Sequence, residues 1–112
     1  MFVGVMRLSF HIPHARSLKD KRSVVRRFRD RVRARFEVSI AEVGDLDLLQ
    51  RASFGVTVVS NDAKVCASVL EDVAREASLQ EEAVLLERST EIVPYGDELF
   101  GDSDESTAEE IA

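Results

Sequence analysis

The segment that decides the fold is residues 2–12, FVGVMRLSFHI, in which apolar side chains alternate along the chain. An alternation with a period of two residues predicts a β-strand that places one face against a core. Pro13 then ends the strand, because proline cannot continue the hydrogen-bond ladder. The residues of the mainly apolar face are Gly4, Met6, Leu8, Phe10 and Ile12.

An amphipathic helix is predicted to follow, from residue 18 to about residue 35. Ser17 is a suitable N-cap, and Asp20 stands three residues later, close to a capping box. Apolar side chains then recur at helical spacing, so one side of the helix should pack against the sheet. These side chains are Leu18, Val25, Phe28, Val32 and Phe36.

The remaining elements are read from the same two periodicities. Residues 36–43, 52–60 and 83–93 predict three further strands, supported by their β-branched content. Asn61 or Asp62 is expected to cap a second helix before the third of these strands. The apolar face of that helix holds Cys66, Val69, Leu70, Val73 and Ala77.

The order β-α-β-β-α-β predicts an α+β fold of the ferredoxin-like type, a four-stranded antiparallel sheet with two helices on one face. Residues 1–94 would form this domain. Within it, Leu46, Leu48 and Leu49 of the connection between the middle strands are expected to tuck under the sheet edge. Residues 95–112 contain seven acidic and no basic side chains, which predicts a disordered acidic tail.

The composition indicates a soluble globular domain, with 45% hydrophobic and 32% charged residues in a chain of 112. No apolar run approaches the ~18 residues of a membrane span, and the N-terminus resembles no signal peptide. The single Cys66 cannot form an internal disulfide. Together these features predict a cytoplasmic protein that does not enter the membrane.

Positive charge is concentrated in residues 16–35, RSLKDKRSVVRRFRDRVRAR. This segment holds ten of the 15 basic residues and carries a local charge of +8, although the whole chain carries −6. On a helical wheel four arginines fall on one narrow line, which runs for about 16 Å. An arginine fork pairs with two phosphate oxygens at once, so the line predicts contacts with successive phosphates. The four are Arg22, Arg26, Arg29 and Arg33.

The beginning of this helix predicts a second anion contact. Free backbone N–H groups near Ser17 would lie beside the side chains of Arg16 and Lys19. Each cation at this end interacts unfavourably with the helix dipole, at a cost of about 0.3–1 kcal/mol. This cost indicates that an external anion compensates the positive charge.

Other interpretations of the charge remain open. The arginines could form an ordinary solvated surface, or they could pair with the protein's own acids. The acidic tail, with Leu99 and Phe100, could fold back onto them. A third class of function is an enzyme that uses Glu42, Asp45 and Asp47, although these are scattered loop acids.

The face of the sheet opposite the helices offers no aromatic residue, which excludes base stacking of the RRM type. Its small and apolar side chains could instead form a dimer interface. The positions are Val3, Val5, Arg7, Ser9 and His11 of the first strand, and Ser53, Gly55, Thr57 and Val59 of the third.

We predict no metal, cofactor or catalytic residue. His11 and His14 have a spacing that occurs among metal ligands, but no third ligand completes a site. Cys66 lies on an apolar helix face without a histidine to act as its base.

Three segments carry a family resemblance: MFVGVMRLSFHIPHARSLKDKRSVVR, RARFEVSIAEV and QRASFGVTVVSND. They closely resemble the YlxP-like family of small bacterial proteins, a domain of unknown function, over about residues 1–93. The resemblance implies a ferredoxin-like fold and no established activity. The family's genes tend to lie beside those for ribosome maturation and translation initiation, which implies a role near RNA or the ribosome. Within SLKDKR the resemblance implies Ser17, Lys19, Lys21 and Arg22 as contacts.

We therefore expect a non-enzymatic, phosphate-directed RNA- or ribosome-associated factor. The alternative is a homo-oligomeric protein-interaction module that uses the open sheet face. The predicted RNA or anion contacts are Arg16, Ser17, Lys19, Lys21, Arg22, Arg26, Arg29 and Arg33.

Overall fold

The computed structural model describes residues 1–96, and the predicted acidic tail lies outside the described residues from position 97 onward. The elements are β1 (Phe2–His11), α1 (Leu18–Arg35), β2 (Ser39–Gly44), β3 (Arg51–Ser60), α2 (Ala63–Ser78) and β4 (Val84–Pro94). Their order confirms the predicted β-α-β-β-α-β succession. Neither of the two helices in this part of the chain combines the length and apolarity needed to cross a membrane.

The four strands form one sheet in the order β2-β3-β1-β4, and every neighbouring pair is antiparallel. The unit β1-α1-β2 is split by β3, and the unit β3-α2-β4 is split by β1. This is the split βαβ arrangement of the ferredoxin-like class, so the predicted fold class is confirmed. It leaves β2 and β4 as opposite edges of the sheet.

The core lies between the two helices and one face of the sheet. At its centre Phe10 of β1, Phe28 of α1 and Phe54 of β3 meet edge to face, with ring centroids 5.1–5.8 Å apart. Aromatic pairs in this geometry contribute about 0.5–1.5 kcal/mol beyond the area they bury. The three rings therefore fix how α1 sits on the two central strands.

Gly4 allows α2 to lie close to β1. A Cβ atom at this position would be 2.9 Å from Leu70 Cδ1 and 3.2 Å from Cys66 Cβ. Both α2 side chains are fully buried. The space that a side chain at Gly4 would occupy is therefore filled by the packed face of α2.

The predicted end of α1 is confirmed, whereas β2 begins later than predicted. The helix α1 continues to Arg35, so Phe36 is its C-cap and donates its N–H to Val32 O at 2.9 Å. The strand β2 consequently begins at Ser39 rather than at residue 36. At α2 the cap is Asp62, whose side chain accepts a hydrogen bond from Lys64 N.

The leucines of the β2–β3 connection do not tuck under the sheet edge, so that prediction is wrong. Leu46, Leu48 and Leu49 are 59%, 50% and 38% exposed. The connection instead turns the main-chain oxygens of Asp45 and Leu48 inward, where they accept hydrogen bonds from Lys21. Polar main-chain groups occupy the place that was expected for apolar side chains.

Candidate nucleic-acid interface

The arginines of α1 lie on two opposite flanks of the helix. At 100° per residue the centres of the two sets are about 170° apart, each roughly at right angles to the core. The α2 flank, which faces α2 and the loop after it, consists of Arg27, Arg31 and Arg35. The β2 flank, on the side of the β2 edge, consists of Arg22, Arg26, Arg29 and Arg33.

Each arginine of the α2 flank is paired with an acid of the fold. Arg35 forms a hydrogen-bonded ion pair with the buried Glu76, and Arg31 Nη1 lies 3.7 Å from Glu76 Oε2. Arg31 also donates to Gln80 Oε1 at 3.0 Å, and Arg27 pairs with Glu82. These arginines join α1 to α2 and the loop that follows, so they serve the fold.

The β2 flank keeps its positive charge. Within residues 1–96, the exposed guanidinium groups of Arg22 and Arg26 have no hydrogen-bond or ion-pair partner. Arg33 donates to a main-chain oxygen, that of Ile40, at 3.1 Å. Arg29 Nε lies 3.3 Å from the exposed Asp30 carboxylate. Exposed ion pairs of this kind contribute little to the free energy of folding.

Lys19 extends the β2 flank by one turn toward the helix N-terminus, and its side chain is exposed. The spacing along the line is then three, four, three and four residues, which keeps all members on one side over about 21 Å. We call this set the basic stripe: Lys19, Arg22, Arg26, Arg29 and Arg33.

At the start of α1, where an anion contact is predicted, Asp20 and Ser17 already partner two of the backbone N–H groups. Arg16 N donates to Asp20 Oδ2 at 3.0 Å, and Asp20 N donates to Ser17 Oγ at 3.1 Å. This resembles a capping box in which the acid reaches the amide preceding the N-cap. Ser17 and the Arg16 amide therefore cap the helix, whereas the Arg16 side chain remains exposed.

Lys21 does not face an external anion, which corrects its predicted role. Its side chain is buried, and Nζ donates to Asp45 O at 2.6 Å and Leu48 O at 2.7 Å. Nζ also lies 3.2 Å from Glu42 Oε2, within ion-pair distance although without hydrogen-bond geometry. The sequence signal that was missed is its position four residues before Val25, which places Lys21 on the core face of the helix.

Asp45 connects this buried lysine to the opposite face of the sheet. It adopts a left-handed backbone, with φ 60°. Its Oδ2 accepts hydrogen bonds from Ser53 Oγ at 2.7 Å and Arg51 Nε at 3.3 Å. The Ser53 hydrogen bond, aided by Arg51 and the charge of Arg7, outweighs desolvation and lowers the pKa of Asp45 below its ordinary 3.8.

The loop acids considered as an enzyme site do not converge. Glu42 points to Lys21 on the helix side of the sheet, whereas the Asp45 carboxylate contacts Ser53 on the open face. Asp47 is exposed. In the part of the chain that the structure describes, no three His, Cys, Asp or Glu side chains group as metal ligands.

The open face of the sheet carries an apolar row. Val3 of β1 lies opposite Val59 of β3 on one side and Val93 of β4 on the other. Directly opposite residues share a face, so the three valines line up across three strands. Val59 is 62% exposed, and Val5 lies exposed beside the row.

A known protein family covers most of this chain. The family described as "Protein of unknown function (DUF503)" matches residues 3–90. The uncharacterized protein YlxP of Bacillus subtilis (strain 168) is 44% identical over 59 residues, which are 53% of this chain and 64% of that relative. The aligned part thus covers less than two thirds of the relative's length. The resemblance found in the sequence is confirmed.

A solved structure also shows similarity. It is the crystal structure of a C-terminal segment of the alpha subunit of aIF2 from Pyrococcus abyssi. The TM-score is 0.45 at 16% sequence identity, over 84% of this chain and 51% of that chain.

Proposed function

The chain belongs to the DUF503 family, and we propose that this member is a non-enzymatic factor that binds RNA, free or within a ribosomal particle, through the basic stripe. The observation that carries the proposal is the division of the α1 arginines. Glu76 and Glu82 pair with the three arginines of the α2 flank, whereas Arg22 and Arg26 have no acidic partner within residues 1–96. Unneutralised arginines in a row are what a phosphate backbone requires.

The rigid placement of the stripe on one helix supports contacts with phosphates. All five cations project from one 18-residue helix whose core face is fixed by Val25, Phe28 and Val32. At its far end the hydrogen bond of Arg33 to Ile40 O restrains that side chain before any ligand arrives. A restrained side chain loses less conformational freedom on binding, which favours association.

The test is the salt dependence of binding to a labelled ribosomal RNA hairpin, measured by fluorescence anisotropy. Each phosphate contact releases counterions, so the Arg22→Gln/Arg26→Gln variant should make the log–log salt slope less negative by about 2. The matched control is Arg75→Gln/Arg88→Gln, which removes the same charge from arginines paired with Asp72 and Glu71.

The control should leave the slope near that of the unchanged protein. An equal effect of both variants would mean that overall charge, and not the stripe, governs binding. Absence of binding at low salt would rule out the proposed function.

A second candidate function, a homo-oligomeric interaction module, is favoured by the valine row on the open face. Two copies could bury Val3, Val59 and Val93 against one another, because a two-fold interface uses the same patch twice. Light scattering over a range of protein concentrations tests it. The mass should rise with concentration, and Val59→Lys should abolish the rise while Arg22→Gln/Arg26→Gln should not. A monomeric mass throughout would exclude this candidate.

A further inference from the structure

We infer that the RNA held by the basic stripe is base-paired, and that the contact follows the phosphates of one strand without reading the bases. The inference rests on the proposed function, since it names the class of RNA that the same surface takes. Three features of residues 1–96 carry it: the position of the aromatic residues, the regularity of the stripe and the residues that border it.

No aromatic platform accompanies the stripe in the described part of the chain. Every phenylalanine there is in the core or packed against it: Phe2, Phe10, Phe28, Phe36 and Phe54. Tyr95 is exposed, but it follows β4, the sheet edge opposite β2, where its main-chain N–H donates to Met1 O. It therefore lies away from the stripe. Single-stranded RNA is commonly held by bases stacked on aromatic side chains, and this surface offers none.

The regularity of the stripe suits an ordered row of phosphates. Consecutive members stand three or four residues apart, which is about 5 Å along the helix axis at each step. A paired strand presents its phosphates in a fixed line, so a rigid row of cations can meet several of them together. An unpaired strand must first be ordered into that line, and the cost of ordering weakens binding.

The borders of the stripe limit the contact to a backbone. The exposed carboxylate of Asp30 lies beside Arg29 on the outer surface of α1 and repels any strand that would wrap across it. On the other side lies the β2 edge, where Arg33 already bonds Ile40 O. The helix contains no Asn or Gln for bidentate contacts with adenine, and the deep major groove of paired RNA is closed to side chains.

The experiment titrates the full chain against three labelled RNAs of equal length. Two are hairpins whose stems exceed the stripe in length but differ in base-pair sequence, and the third is a strand unable to pair. Five phosphate contacts should give a slope near −4.5 with a duplex and no steeper than about −3.5 with a single strand. The two hairpins should bind alike and the unpaired strand several-fold more weakly.

The outcomes distinguish the class of RNA bound from RNA binding itself. Binding of the unpaired strand as tight as that of the hairpins would overturn the inference while the proposed function stands. A clear preference between the two hairpins would overturn the absence of base reading. If none of the three RNAs binds at low salt, the proposed function itself fails.

Discussion

The ammonium group of Lys21 lies 2.6 Å from the main-chain oxygen of Asp45 and fastens the first turns of α1 to the loop that leaves β2. Two residues earlier in the same SLKDKR segment, Lys19 points outward and belongs to the basic stripe. The two lysines of one short motif therefore have different duties. Lys21 holds the helix in place, and Lys19 is available to a ligand.

Exchanging each lysine should separate these duties. Lys21→Met removes the donor to the main-chain oxygens of Asp45 and Leu48 and the cation beside Glu42, which should lower the free energy of unfolding by about 3 kcal/mol. Lys19→Gln should leave stability unchanged and make the RNA salt slope less negative by about 1. Urea unfolding and RNA titration of both variants, at a temperature where each is folded, provide the measurement. An altered slope in Lys21→Met alone would contradict the assignment.

Acid should remove a specific contribution of Asp45 to stability. Because folding lowers the pKa of Asp45 below 3.8, its stabilisation is present above that value and is lost as the pH falls through the folded-state pKa. Asp45→Asn should therefore destabilise the protein at neutral pH and match the unchanged protein increasingly well below pH 3.8. Asparagine tolerates the left-handed backbone at this position, so the change tests the charge.

The measurement for Asp45 is urea unfolding at a series of pH values. Asp47→Asn is the control, since its exposed carboxylate has no hydrogen bond within residues 1–96. A destabilisation by Asp45→Asn that does not vary with pH would refute the assignment.

Filling the space at Gly4 should weaken the packing of α2. In Gly4→Ala the new methyl group would meet Leu70 Cδ1 and Cys66 Cβ, both closer than ordinary contact. Overpacking of this kind costs about 1–3 kcal/mol, even though alanine suits a strand better than glycine. Thermal unfolding should show a lower Tm. Gly4→Ala/Leu70→Val, which shortens the side chain nearest the new methyl, should recover part of the loss; an unchanged Tm in the single variant would count against tight packing.

Removing residues 97–112 should strengthen RNA binding at low salt. The segment carries seven acids and no base, so the net charge changes from −6 to +1. Less repulsion of a polyanion should raise affinity, and the gain should shrink as salt screens the charges. Anisotropy titrations would compare the full chain, the shortened chain and a full-length variant with the seven acids changed to amides. If the shortened chain bound no better than the full chain, the segment would have no electrostatic influence on the stripe.

Much of the fold could be predicted because periodicity encodes it directly. The alternation in β1, the helical spacing in α1 and the caps Ser17 and Asp62 each act within a few residues of chain. The arginine line of the stripe follows from the same local geometry. The fate of Lys21 depended instead on acceptors more than twenty residues away, presented by a loop with a left-handed Asp45.

The separation of the arginine flanks could not be derived from the helix alone. The acids that pair with one flank, Glu76 and Glu82, come from α2 and the loop after it, more than forty residues later in the chain. A charged helix in isolation gives no indication of which side will find partners. Only the tertiary packing distinguishes structural arginines from available ones.

The strand order affects how the domain is oriented when it approaches a charged partner. The basic stripe lies on the β2 side, whereas Glu87 and Glu91 belong to β4 at the far edge, where Arg88 pairs with Glu71 of α2. Charges separated in this way give the domain a permanent electric dipole. The electric field of a polyanion therefore orients the domain before the two surfaces touch. More collisions then begin in the productive orientation, and the association rate should fall as salt weakens that field.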